Sequence, residues 1–134
     1  MRVTLDNPAS VSAPFATRFS HVARLDFGGG ALLMLSGQAA VDDDGAVVGP
    51  GDITAQSERV FDLIGQLLAA HGATFADVMH VRTYLTSLDD LAGYAAVRRR
   101  FFTGPPPAST TVEVSKLFLP GLVLEVEVTA AVRA

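Results

Sequence analysis

The chain has no cysteine and no tryptophan among its 134 residues. Without thiols there is no disulfide scaffold, thiolate nucleophile, CxxC redox pair or zinc ribbon. A chain of this length buries roughly 68% of the surface its unfolded form exposes, so a core forms without such staples. Positive charge is also scarce. Ten Lys and Arg against fourteen Asp and Glu leave a net charge of −4, an unfavourable field for a phosphate backbone, and nucleic acid is not an expected partner. Apolar runs such as Ala31 to Leu35 fall far short of the ~20 residues of a membrane helix, and the first residues show no basic stretch leading into an apolar one. No membrane partner and a cytoplasmic location are expected. What the chain does have is 49% hydrophobic and 18% charged side chains, the balance of a globular domain rather than a disordered tail. No repeat or compositional shift divides it, so residues 1–134 read as a single domain.

Periodicity supplies the elements. Met1 to Leu5 alternates weakly, and Val22 to Phe27 and Ala31 to Leu35 are strand-like runs flanking Gly28-Gly29-Gly30, whose glycines suit a tight hairpin. From Asp52 to His71 the period changes: Ile53, Val60, Ile64, Leu67 and Leu68 share a helical stripe, with Asp52 as N-cap and Gly72 at the C′ position. Val78 to Leu85 alternates again, with Met79, Val81, Thr83 and Leu85 on one side and His80, Arg82 and Tyr84 on the other. A second helix is expected from Leu88 to Phe102, stopped by Gly104-Pro105-Pro106-Pro107. Thr110 to Val114 and Leu122 to Val132 are the last strands, around the Leu119-Pro120-Gly121 turn. The order is β-β-β-α-β-α-β-β, an α+β subunit. Two helices cover only one face of so wide a sheet, and its strands are not freely solvated on either face, which points to self-association.

Standard chemical motifs are missing. His21, His71 and His80 have no ligand spacing, so no metal is expected, and Ala40 breaks the EF-hand register before Asp42-Asp43-Asp44-Gly45. Gly28-Gly29-Gly30 does not match GxGxxG, and neither a P-loop nor a GxSxG elbow occurs. Arg98-Arg99-Arg100 reads as a solvated helix end whose charge complements the dipole. Glu125 and Glu127 are more informative. Two residues apart on an apolar strand, they project from one face, and each must be paired, placed at a rim or retained for chemistry. Pairing with an arginine such as Arg82 and a functional role both fit that spacing.

Several segments, in order, resemble the reactive-intermediate deaminases, the RidA or YjgF/UK114-like family. They are Phe19-Ser20-His21, Leu35-Ser36-Gly37-Gln38, Gly51-Asp52-Ile53 with Gln56, Asp77-Val78 through Tyr84-Leu85-Thr86, and Phe101-Phe102. They continue with Pro107-Ala108, Thr111-Val112-Glu113-Val114, Leu119-Pro120-Gly121 and Glu125-Val126-Glu127. The resemblance covers about residues 19 to 130. It implies a chorismate-mutase-like subunit, with two helices on one face of a mixed sheet, that forms a homotrimer around an inner β-barrel. It further implies a cleft between subunits in which enamines or imines are hydrolysed to a keto acid and ammonia, without metal or organic cofactor.

Carried over position by position, the resemblance implies Glu125 as the residue that positions water and Thr111 as a ligand-holding position. Phe19 becomes the aromatic near the substrate, with Gly37 and Asp89 lining the cleft. The departure is at Ser109. Relatives of the deaminating kind carry Pro-Ala-Arg-Ser, whose arginine grips the substrate carboxylate through paired charged hydrogen bonds, whereas this chain has Pro107-Ala108-Ser109-Thr110. Arg82 is a candidate replacement cation. The expected function is binding of a small carbonyl or imine-type metabolite, with imine or enamine hydrolysis as its reaction. A non-catalytic or regulatory ligand-binding trimer is the alternative.

Overall fold

The protein is described here by a computed structural model covering residues 1–133. Seven strands form one sheet: β1 (Arg2–Asp6), β2 (Val22–Asp26), β3 (Gly30–Leu35), β4 (Gln38–Ala39), β5 (Val78–Leu85), β6 (Ala108–Glu113) and β7 (Leu124–Arg133). The strand order is β1-β2-β3-β7-β5-β6, and β4 continues the β3 side of β7. All pairings are antiparallel except β5 with β6. Those two are joined by a helical crossover, the connection that parallel neighbours require. The helices are α1 (Ile53–Ala70) and α2 (Leu91–Phe101).

Helix α1 forms where periodicity and caps agree. The Asp52 carboxylate accepts the Ala55 amide at 3.1 Å. At the other end the Gly72 and Ala73 amides donate to the Ala69 and Leu68 carbonyls, and Gly72 takes a positive φ of 74°. Its stripe buries Val60, Phe61, Ile64, Leu67 and Leu68 against Leu33, Val81, Leu85, Leu124 and Val126 of the sheet. Phe61 also stacks on Tyr94 and Phe101, which locks α2 beside α1.

Four local features differ from the sequence pattern. The two-residue β4 has too little length to show a period. Met79 is 52% exposed, not in the core with Val81, because a bulge between Val78 and His80 leaves it outside the ladder. Of the three hairpin glycines only Gly28 has a positive φ; Gly30 is a strand residue at which a Cβ would collide with the Val132 carbonyl. The second helix begins as a 3-10 turn, Leu88–Asp90, capped by Ser87.

The far face of the sheet carries no helix. Register places Val3, Leu5, Ala23, Leu25, Leu32, Met34 and Ala131 on its β1-β2-β3 half, and His80, Arg82, Tyr84, Glu125 and Glu127 on its β5-β7 half. Val3, Leu5 and Met34 are each more than half exposed, whereas Val126 and Val128 on the helix side are buried. Among the described residues no helix is long and apolar enough to cross a membrane.

Candidate functional site

Glu125 projects from the open face, where β7 runs between β4 and β5 and Tyr84 lies directly opposite. Its carboxyl is pushed above the usual carboxylate range, first by burial and second by the charge of Glu127. Glu127 differs: it accepts the Tyr84 hydroxyl at 2.5 Å, and that bond holds the Tyr84 proton and raises the phenol above its ordinary value. Among the described residues Glu125 has no comparable donor. The pair that spacing left open is thus divided into a satisfied carboxylate and an unsatisfied one. Arg82 faces Glu127 in register and forms no ion pair with either glutamate among the described residues.

Gly37 makes room for this carboxyl. A Cβ at position 37 would lie 2.9 Å from the Glu125 Cδ and 3.0 Å from its Cγ, closer than real side chains tolerate. The neighbouring residues hold this approach in place. Ser36 donates its hydroxyl to the Ser20 carbonyl at 2.6 Å, and the Gln38 amide reaches the Ser36 carbonyl and the His21 Nδ1. With Gln38 as donor, the His21 Nε2 carries the proton donated to the Ser12 carbonyl at 2.7 Å. Phe19 stands edge-on to His21, with ring centroids 6.0 Å apart, so its loop is fastened to the segment that carries Gly37. Gln56, fully buried in α1, donates to the Gly49 and Gly121 carbonyls and accepts the Val123 amide, fixing the start of β7.

The other sequence-derived candidates lie elsewhere. Ser109 pairs with Val81, whose side chain faces the helices, and its Oγ accepts a hydrogen bond from Arg98 of α2 at 3.0 Å. Thr111 follows on the same face, lining a cavity of about 260 Å³ between α2 and β6. Asp89 sits in the turn ahead of α2, which the Glu113 carboxylate ties to the end of β6 through the Leu88 amide. Gly37 and Glu125 therefore meet at one place, with Phe19 on the loop fastened to the Gly37 segment, whereas Ser109 and Thr111 lie together on the opposite face of the sheet and Asp89 in the turn ahead of α2. Arg82, on the open face, is not beside Ser109. Among the described residues no cluster of three or more His, Asp or Glu side chains is arranged to hold a metal ion.

Sequence reasoning named Gln56 among the segments of the resemblance without a role, and missed Arg98 as a site residue. Arg98 was hidden in a basic triplet, although its spacing of four from Tyr94 and from Phe102 marks it as turned toward the α2 face those rings occupy.

Residues 11–132 match the family model described as Endoribonuclease L-PSP. This chain belongs to that family, the RidA/YjgF family. It is 39% identical over 99 residues to Protein DfrA of Myxococcus xanthus, covering 74% of each chain. It is 35% identical over 88 residues to a RutC family protein of Pyrococcus abyssi, covering 66% of this chain and 69% of that one. Among solved structures, yeast YEO7 superimposes with a TM-score of 0.87 at 30% identity, over 98% of this chain and all of that one. A Mycobacterium tuberculosis member of the YjgF/YER057c/UK114 family gives 0.77 at 28% identity, over 98% and 100%. The α+β architecture expected of this family, with two helices on one face of a mixed sheet, is the one found.

Proposed function

We propose that this RidA/YjgF-family protein is a cytoplasmic homotrimer that binds a small carbonyl or imine-type metabolite in a cleft between subunits and hydrolyses an imine or enamine there. The observation that carries the reading is Glu125: a half-buried carboxyl, raised above its ordinary range, without a donor of its own and with space cleared for it by Gly37. An imine carbon is already electrophilic. What its hydrolysis needs is a placed water and a group that takes and returns a proton near neutral pH, and a carboxyl with a raised proton affinity suits that task. Phe19 would be the aromatic side chain near the ligand. The trimer is supported by the uncovered face, whose exposed Val3, Leu5 and Met34 need burial, and by the separation of the two candidate clusters, which only a second copy brings together.

The test is hydrolysis of 2-iminopropionate and of carboxylate-free imines by the pure protein and by Glu125→Gln. Acceleration that is lost in the variant is the expected result. Full activity in the variant would contradict the role of Glu125, and a monomer by sedimentation at micromolar concentration would contradict the shared cleft. Ser109 favours a second reading, a ligand-binding trimer without catalysis, since the residue that grips substrate in deaminating relatives is absent at that position. Under that reading carbonyl compounds bind and no imine is turned over.

A further inference from the structure

Arg98 is a half-buried guanidinium without a counter-ion. It stands on the inner side of the last turn of α2, and its Nη1 donates to the Ser109 hydroxyl at 3.0 Å. Its Cζ lies 5.4 Å from the centre of the Phe102 ring, close enough for a cation–π contact that fixes the guanidinium plane. The Tyr94 hydroxyl, itself bonded to Thr83 at 2.6 Å, is beside it. Among the described residues no carboxylate lies within ion-pair distance of Arg98, whereas Arg100, two positions on, pairs with Glu58 at 3.1 Å. The helix dipole accounts for positive charge in this turn. It does not account for a half-buried guanidinium set against Ser109 and Phe102 with no acid beside it.

Arg98 also lines the cavity of about 260 Å³ between α2 and β6, together with Tyr94, the more exposed Arg99, Phe102, Pro107 and Thr111. That volume lies just below the usual range for drug-sized ligands and suits a metabolite of a few carbons. We propose that Arg98, reaching across from α2 to the place on β6 where an arginine would otherwise stand, anchors the carboxylate of a small keto or imino acid in this cavity. The small Ser109 is then a necessary partner of the arrangement. Its hydroxyl accepts one guanidinium N–H and its size leaves the space that Arg98 occupies, with the remaining donors directed at the anion. The ligand class rests on the carbonyl or imine reading above; the anion anchor does not need hydrolysis to occur.

Pyruvate and its neutral isostere pyruvamide separate the two ideas. Titration followed by calorimetry, with the Arg98 Nε–H resonance observed by NMR, should show pyruvate binding that shifts that resonance, and pyruvamide binding at least about tenfold weaker. Arg98→Gln should lose at least about tenfold in pyruvate affinity while thermal unfolding confirms that it folds. Arg100→Gln should stay within about twofold, and Arg98→Gln/Ser109→Arg should recover affinity by returning a guanidinium to the cavity from β6. No pyruvate binding, equal affinity for the amide, or unchanged affinity in Arg98→Gln would each overturn the proposal. Failure of the hydrolytic reading shows differently: pyruvate binding retains its dependence on Arg98 while Glu125→Gln leaves imine turnover unaltered.

Discussion

Glu125 and Arg98 sit on opposite faces of the sheet, opposite in sign and each without an ion-pair partner among the described residues. On the open face Glu125 is an acid with no cation beside it and a neighbouring carboxylate that makes its ionisation harder. Across the sheet, between α2 and β6, Arg98 is a cation with no acid beside it. Elsewhere the molecule satisfies such groups: Glu127 holds the Tyr84 hydroxyl, Arg24 bonds Asp26, and Arg59 bonds Asp62. An acid and a cation that each lack an ion-pair partner thus lie on opposite faces of one sheet. Under the trimeric reading proposed above, a neighbouring copy would bring the two together around a substrate with an electrophilic carbon at one end and a carboxylate at the other.

Breaking the acidic half should have the largest effect. Glu125→Gln is expected to lower imine hydrolysis by at least about a hundredfold, the usual contribution of a placed acid or base, measured as kcat/KM. Next comes Gly37→Ala, whose Cβ presses on the Glu125 side chain; a loss of about 1–3 kcal/mol of stability is expected by denaturant unfolding. The same substitution in a Glu125→Ala background should cost clearly less, because the atoms it meets are gone, and a double-mutant cycle reads that difference.

A smaller effect follows from protonation. Burial keeps the proton on Glu125 to higher pH in the folded chain than in the unfolded one. The folded state then binds more protons across the window between those two values, so this group's contribution to stability falls as pH rises through it. Glu125→Gln should therefore raise Tm at about pH 8 and leave it unchanged at about pH 4. Smallest is Ser109→Ala, which removes one acceptor from Arg98 and should weaken pyruvate binding by only about two- to threefold.

The elements legible in the sequence were those whose signals agreed. Helix α1 had its stripe, its Asp52 cap and its Gly72 together, and the alternation of Leu124, Val126 and Val128 was reproduced as burial on the helix side. Met79 was misplaced because a bulge shifts the register by one residue, and nothing in Val78-Met79-His80 distinguishes a bulged residue from a paired one. The ordered segments shared with the RidA/YjgF family were enough to indicate the architecture, and Glu125 and Gly37, both named from that resemblance, are in contact. Arg98 was not legible as a site residue. Its meaning depends on the distance across from α2 to β6, and the same triplet of arginines would serve equally well as a solvated helix end.

The central claim, that the acid and the guanidinium meet across a subunit boundary, is tested most directly by mixing two defective chains. Glu125→Gln and Arg98→Glu, each expected to hydrolyse 2-iminopropionate poorly alone, are co-refolded in equal amounts. Random assembly gives about a quarter of the interfaces an intact Glu125 from one subunit and an intact Arg98 from its neighbour, so about a quarter of wild-type activity should return. If the mixture stays as inactive as its components, the two groups do not share a cleft and the account is contradicted.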